Sequence, residues 1–218
     1  MSSRKWLLPL LLSLPLAAIV LFLGACLPVG LGDPEASKVD ARLAGAWAAA
    51  DGNVVVVLLP FDGRAYLMRS VEVERTEEGV KLKPGEGCFK AWLTAVEGRT
   101  FLTAQPLYLR EAVEAGAKPP GHFVAALTLS EDGARVEARG VDPDFPALTP
   151  LKALPGHMSY EAPAKGAEPP SEDEAKALLT KVIAENVGND KLYVEDVAHY
   201  ARVTDKALLK ALFESVIG

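Results

Sequence analysis

Few side chains in this sequence are arranged for chemistry. The three histidines, His122, His157 and His199, lie far apart along the chain. Glu195 and Asp196 could share a metal ion with His199 on a helix, where positions four apart face the same way, but not on a strand. The sequence contains neither a Gly-x-Ser-x-Gly turn, which would expose a nucleophilic serine, nor a glycine-rich phosphate loop. We therefore expect no catalytic residues, no metal site and no cofactor.

Cys26 is the exception, because the segment before it has the sequence pattern of an export signal. Arg4 and Lys5 precede an apolar run from Trp6 to Leu23, a pattern typical of a signal peptide that directs export. The end of this run resembles the lipobox of bacterial lipoproteins, in which small residues let the signal peptidase cut before a cysteine that carries a diacylglyceryl group. The residues that match the lipobox are Leu23, Gly24, Ala25 and Cys26. The resemblance implies that residues 1–25 are removed and that acyl chains such as palmitate, attached at the cysteine, hold the protein on a membrane.

An uncleaved transmembrane helix is the alternative interpretation of the same run, since about 20 apolar residues are enough to cross the hydrocarbon core. Either interpretation places the rest of the chain outside the cytoplasm, because positive residues stay on the inner side. Leu27 follows the cysteine, whereas enterobacterial lipoproteins retained in the inner membrane carry Asp there. The resemblance therefore favours the periplasmic face of the outer membrane. Residues 26–40 are expected to form a flexible, lipidated tether.

The charge of the exported part excludes two classes of partner. The whole chain has 23 basic and 29 acidic residues, and removal of the signal peptide takes away two basic residues and no acidic one. No basic cluster remains that could follow a phosphate backbone, so we expect no nucleic acid partner. Anionic lipid would not attract this acidic surface either.

Residues 41–141 are dominated by short β-prone runs separated by turns that contain glycine. In residues 71–74 valine alternates with glutamate, which is typical of a strand with one buried face. The turns include Asp62-Gly63 and Glu97-Gly98, where glycine supplies the positive φ that tight antiparallel turns require. Consecutive antiparallel strands bury their edges best by closing into a barrel. The predicted strands are residues 53–60, 65–74, 88–96, 100–109, 122–129 and 134–141.

The C-terminal third of the chain alternates between loop, helix and strand. Seven prolines in residues 142–170 predict a long loop. The capping-box pattern Ser171-Glu-Asp-Glu174 predicts a helix over residues 171–187. Residues 193–203 are predicted to be the last strand. Residues 204–218 are predicted to form a C-terminal helix with an apolar stripe made of Leu208, Leu209, Leu212, Phe213, Val216 and Ile217.

The two ends of the exported part together resemble the lipocalin-like superfamily. Gly45-x-Trp47 stands just before the first long strand, and Arg202 lies in the last one. In that superfamily the tryptophan plugs the closed end of the barrel and an arginine of the last strand lies across it, and a group of poorly characterised bacterial membrane lipoproteins has similar features. The resemblance implies a mainly β domain over residues 41–203, a small antiparallel barrel with a cation–π contact between Trp47 and Arg202. The alternative is that Trp47 is an ordinary core aromatic of another β-sandwich.

Together, the lipid anchor and the barrel predict a non-enzymatic protein of the cell envelope. A lipocalin-like barrel offers an apolar cavity at its open end, which suits a lipid or another small hydrophobic ligand. The alternative is a protein-interaction role, in which the C-terminal helix stabilises an envelope complex. Whether the barrel interior is filled or hollow separates these two predictions.

Overall fold

The structure is a computed structural model that describes residues 26–77, 79–107 and 121–217. The side chains of residues 84–87 and 215–217 lie outside this description, among them Val216 and Ile217 of the predicted apolar stripe. The predicted signal peptide also lies outside the described residues, and with it three residues of the lipobox: Leu23, Gly24 and Ala25.

The strands form one antiparallel sheet that closes on itself. The strands of the described residues are β1 (Cys26–Leu27), β2 (Gly45–Ala49), β3 (Val54–Pro60), β4 (Ala65–Thr76), β5 (Gly79–Val96), β6 (Arg99–Pro106), β7 (His122–Leu129), β8 (Arg135–Val141) and β9 (Tyr193–Arg202). Each strand from β2 to β9 pairs with its neighbours, and β2 also pairs with β9, so these eight strands form a closed barrel. Strand β1 adds to β7 at His122 and Phe123, which β8 does not reach. The predicted mainly β fold with a closed antiparallel barrel is confirmed.

Both faces of the barrel wall are buried over much of its area, which explains the unbroken apolar run in β3. Val56 and Leu58 point into the barrel and pack around Trp47. Val55 and Val57 point outward and pack under a C-terminal helix. A strand buried on both faces has no position where a polar side chain is favoured, so its sequence is apolar throughout.

The first covering layer lies outside β6 and β7. Helix α1 (Glu172–Asn186) begins at the predicted capping box, with the Ser171 hydroxyl accepting from the Glu174 amide and the Glu174 carboxylate accepting from the Ser171 amide. Its buried face packs with the outward side chains of the barrel, including Phe101 and Val124. The predicted loop over residues 142–170 differs from the structure in one part, because Pro146–Ala153 forms a 3₁₀ helix. Proline is compatible with the first turn of a helix, and this helix buries two leucines in the same layer: Leu148 and Leu151.

The N-terminal segment belongs to this layer too, which corrects the expectation of a flexible tether over residues 26–40. Leu27, Val29 and Leu31 are all buried. The carbonyl of Leu31 accepts hydrogen bonds from the Trp92 indole at 2.8 Å and from the Thr94 and Thr103 hydroxyls at 3.1 and 3.2 Å. The alternating apolar side chains stabilise this packed arrangement by leaving water, so the segment is a fixed strap along the barrel.

Two glycines of this segment, Gly30 and Gly32, permit its close packing against the barrel. A Cβ atom on Gly30 would lie 2.6 Å from the Trp92 ring, and one on Gly32 would lie 2.3 Å from the Thr94 hydroxyl. Any larger residue at these positions would push the strap off the barrel.

The second covering layer is helix α2 (Lys206–Ile217), which lies outside β3, β4 and β5. Leu208 and Leu212 are buried against Val55, Val71 and Val73. The β4–β5 hairpin supports this helix and is longer than predicted. Residues 79–84 pair with β4, although they were expected to be a turn region. Among the described residues, no helix is both long and apolar enough to cross a membrane.

Candidate functional site

Cys26 is fixed in the fold at the first described position. It pairs with Phe123 of β7, and its carbonyl accepts a hydrogen bond from the Met158 amide at 3.1 Å. A Cβ atom on Gly121 would lie 2.9 Å from the Cys26 Cβ, so the two backbones are in close contact. The thiol is half-buried, and this burial raises the pKa of Cys26 above its ordinary value. The side chain thus remains accessible for modification while its backbone is held in place.

The loop that bonds to Cys26 is held in place by a buried histidine. His157 is 4 % exposed, and its Nδ1 accepts from the Ser159 amide at 3.0 Å while its Nε2 lies 3.1 Å from the Pro143 carbonyl. An acceptor Nδ1 requires the neutral ring with its proton on Nε2. Burial lowers the pKa of His157, which favours the same neutral form.

The structure brings the three predicted signature residues, Gly45, Trp47 and Arg202, together at one end of the barrel. Trp47 is 2 % exposed, and its indole N–H donates to the Leu43 carbonyl at 2.8 Å. The guanidinium carbon of Arg202 lies 4.4 Å from the centroid of the Trp47 ring. Gly45 has a φ of 130°, and a Cβ atom there would lie 3.0 Å from Arg202 Nη1.

The guanidinium of Arg202 also donates three hydrogen bonds to backbone carbonyls. Its Nε donates to the Gly133 carbonyl at 3.1 Å, its Nη1 to the Ala44 carbonyl at 3.0 Å, and its Nη2 to the carbonyl of Arg42. Every nitrogen of the guanidinium therefore has a partner within the chain. This end of the barrel is a plug that ties three segments together, and its role is structural.

Two small voids lie in the barrel interior among the described residues. One void of about 50 Å³ is lined by Trp47, Val56 and Tyr200 among others, and a second of about 40 Å³ lies near Phe123 and Ala198. Pockets that enclose small organic ligands usually measure about 300–1,000 Å³. Each of these two voids is smaller than such a pocket and has room for a few waters.

A larger cleft lies outside the barrel, between the strap and the first turn of α1. Its volume is about 480 Å³, within the range of about 300–1,000 Å³ usual for ligand sites. Its lining includes both apolar groups and polar side chains, so it can contact both parts of an amphipathic molecule. The lining residues include Pro28, Gly30, Gly32, Trp92, Gln105, His122, Pro155, Glu172 and Lys176.

His122 lines this cleft and has one ring nitrogen without a hydrogen-bond partner among the described residues. Its ring meets the Trp92 ring edge to face, with centroids 6.1 Å apart, and its Nδ1 is buried without a hydrogen-bond partner. Burial lowers the pKa of His122, and the Glu172 carboxylate offsets part of that effect. The neutral ring is therefore favoured. An unpaired buried nitrogen costs free energy, which a ligand that bonds to it would recover.

Charge at the rim of the cleft comes from the first turn of α1. Lys176 Nζ lies 2.6 Å from Glu172 Oε1, and the hydrogen bond from Lys176 holds the pKa of Glu172 below its ordinary value. The pair thus presents one positive and one negative group to a ligand, with no net charge. The cleft was not predicted from the sequence, because His122 was treated there as an isolated residue. Gly30 and Gly32 of the strap were the sequence feature that could have indicated it.

The other sequence candidates do not form sites. Glu195, Asp196 and His199 lie on strand β9 and not on a helix. Within the described part of the chain, no group of three or more His, Cys, Asp or Glu side chains could hold a metal ion. Cys88 is half-buried and free.

Removal of Trp47 and Arg202 tests their contact. Trp47→Ala should lower the free energy of unfolding by about 3–5 kcal/mol, because a large buried aromatic leaves a cavity. Combined with Arg202→Ala in a urea-unfolding cycle, it should show a coupling of about 1 kcal/mol, the value of a shielded cation–π pair. Arg139, which lies 4.8 Å from the Tyr193 ring, is the control, and Arg139→Ala should be additive with Trp47→Ala. Additive costs for Trp47 and Arg202 would show that the pair is not coupled.

Buried histidines predict a loss of stability on mild acidification. The pKa values of His122 and His157 are lowered from the ordinary 6.5, so the folded state binds fewer protons than the unfolded state. Their contribution to stability is present above the ordinary pKa and is lost as pH falls through the folded-state values. Urea unfolding between pH 7.5 and pH 5 should show this decline, and His157→Gln should reduce it. A decline in His157→Gln as steep as in wild type would contradict the assignment.

Comparison with known proteins gives this chain no relatives. No family model matches it, and no match was found among curated proteins or among solved structures. The case for a function therefore rests on the residues of this chain alone.

Proposed function

We propose that this protein is an exported lipoprotein, held by acyl groups on Cys26 at the periplasmic face of the outer membrane. Two features support the anchor. Arg4, Lys5 and the apolar run lead directly to the Leu-Gly-Ala-Cys motif, and Cys26 is paired with β7 while its thiol is half-exposed. The plug of Trp47 and Arg202 is consistent with the lipocalin-like type of barrel.

The barrel serves as a non-enzymatic binding module that uses its outer cleft. One observation carries this part of the proposal, namely that the outer cleft measures about 480 Å³ whereas the interior voids measure about 50 and 40 Å³. A lipid or hydrophobic ligand inside the barrel, as the lipocalin-like resemblance implies, would need the packed core to open. The cleft needs no such rearrangement.

The chemistry of the cleft defines the class of ligand. Trp92 and Pro155 provide an apolar surface, and the neutral His122 ring provides a nitrogen without a partner. Glu172 and Lys176 supply opposite charges at the rim. These groups suit a small molecule with an apolar body and a polar group that can hydrogen-bond to imidazole.

A second function is favoured by the exposed face of α2. Leu209 and Phe213 are 39 % and 68 % exposed, one helical turn apart, although Leu208 and Leu212 of the same helix are buried in the protein's own core. Exposed apolar pairs on a helix are a common feature of protein contacts. An envelope protein that covers this pair would use the helix as an interaction module.

Replacement of Cys26 tests the anchor. Cys26→Ser should abolish labelling by a radioactive or clickable fatty acid, because no thioether to diacylglycerol can form, and the protein should keep the mass of its precursor. Cys88→Ser removes the other thiol and should be labelled and processed like wild type. Normal maturation of Cys26→Ser would contradict the proposal.

Native mass spectrometry of the protein purified from its own host tests the cleft. The wild type should carry an added small-molecule mass, and His122→Phe should lose it, because phenylalanine keeps the aromatic shape but has no nitrogen to bond. Ala138→Leu, which reduces the interior void, is the control and should retain the mass. Retention in His122→Phe together with loss in Ala138→Leu would place the ligand inside the barrel instead.

Substitutions on the two faces of α2 test the second function. Phe213→Ser should change the free energy of unfolding by no more than about 0.5 kcal/mol, as expected for a surface substitution. It should nevertheless abolish co-purification of an envelope protein. Leu212→Ser should lower stability by about 2–5 kcal/mol, since it removes a buried leucine. If Phe213→Ser brings down the same proteins as wild type, the helix has no partner on that face.

A further inference from the structure

We propose that the end of the barrel beside Cys26 rests directly on the lipid bilayer, with Met158 and Tyr160 in the membrane interface. The inference rests on the proposed lipid at Cys26. It adds a fixed orientation of the domain and a second contact with the membrane, and both follow from the packing of the described residues around the anchor.

The first observation is that no flexible segment separates Cys26 from the folded domain. Had residues 26–40 been a free tether, the barrel could drift by up to about 50 Å from the membrane, at about 3.4 Å per extended residue. Instead Cys26 itself is paired with Phe123, and the next residue, Leu27, is fully buried. A lipid on the Cys26 thiol would therefore leave the surface of the folded domain with no intervening chain.

The second observation is an exposed apolar pair next to the anchor. Met158 is 51 % exposed and Tyr160 is 41 % exposed, and the Met158 amide donates to the Cys26 carbonyl at 3.1 Å. This loop is fastened on both sides of the pair. His157 contacts the Pro143 carbonyl, and the Glu161 amide donates to the Lys152 carbonyl at 2.9 Å.

The chemistry of the pair fits the interface of a bilayer. Tyrosine has an apolar ring and a polar hydroxyl, a combination enriched at the level of the lipid headgroups, and the thioether of methionine adapts to irregular apolar surroundings. Lys152, whose carbonyl accepts from the Glu161 amide, forms an ion pair with Asp144 at 2.7 Å, so the charge of this lysine is already neutralised within the protein. Leu107, at the end of β6 on the same side of the barrel, is also 47 % exposed.

The opposite end of the barrel provides a matched reference. Successive hairpins of a meander turn at alternate ends, so the turn between β3 and β4 lies away from the start of β7, where Cys26 pairs. Phe61 on that turn is 73 % exposed. It is more exposed than Met158 but lies at the end of the barrel away from Cys26.

Fluorescence quenching by brominated lipid tests the orientation. The full-length gene is expressed so that Cys26 matures normally, and the purified lipidated protein is reconstituted into phosphatidylcholine vesicles with or without brominated acyl chains. Met158→Trp and Tyr160→Trp place reporters at the proposed contact, and Phe61→Trp is the control. Wild type corrects for the emission of Trp47 and Trp92. Two reporters are used so that a folding defect in one variant does not decide the result.

Loss of fluorescence in brominated vesicles at positions 158 and 160, with Phe61→Trp no different from wild type, would support the orientation. Equal quenching at both ends of the barrel, or none at positions 158 and 160 in protein that is acylated and bound to vesicles, would overturn this inference and leave the lipoprotein proposal standing. A purified protein whose mass shows no acyl group on Cys26 would overturn both.

Discussion

Closure of the barrel between β2 and β9 is the contact on which the rest of the structure depends. These strands are separated by most of the domain in sequence, and their register places Trp47 opposite Arg202. Without this seam, β2 and β9 would expose unpaired backbone groups along two edges. Arg202 reinforces the seam through the Trp47 ring and the carbonyls of Arg42, Ala44 and Gly133. One side chain thereby joins the start of the barrel, its end and the β7–β8 turn.

A closed barrel of this composition still leaves apolar surface on its outside, and the remaining elements cover it. Val55, Val71 and Val73 face outward and are covered by α2, while Phe101 and Val124 are covered by α1, the 3₁₀ helix and the strap. Apolar burial near 25 cal/mol per Å² makes such covering layers favourable. The cleft at His122 lies between the strap and the first turn of α1. The cleft is thus a consequence of how the outer layer is divided between two segments.

The cleft at His122 lies on the outside of the barrel, close to the proposed anchor. His122 pairs with Leu27, the residue after Cys26, so the cleft and the anchor share one strand pair. A lipid on Cys26 and a ligand in the cleft would therefore lie on neighbouring parts of the domain. This proximity suits a protein that meets its ligand at a membrane surface.

Local patterns in the sequence determined much of the fold. Alternation along the strands, glycine turns and the Ser171–Glu174 capping box depend only on neighbouring residues. Strands β3, β4 and β6 to β9 and helix α1 form near their predicted positions, whereas β2 and the first half of β5 were not predicted as strands. The contact between Trp47 and Arg202 was predicted only from the resemblance to the lipocalin-like superfamily, because no local sequence pattern relates two residues so far apart in the chain. The covering layers and the cleft were decided by tertiary structure. Gly30 and Gly32 indicate flexibility when read locally, but their small size matters because Trp92 and Thr94 happen to lie against them. His122 likewise acquires its unpaired nitrogen only when the strap and α1 exclude water from the ring, because burial depends on which surface the closed barrel leaves uncovered and not on the residues beside it in the chain.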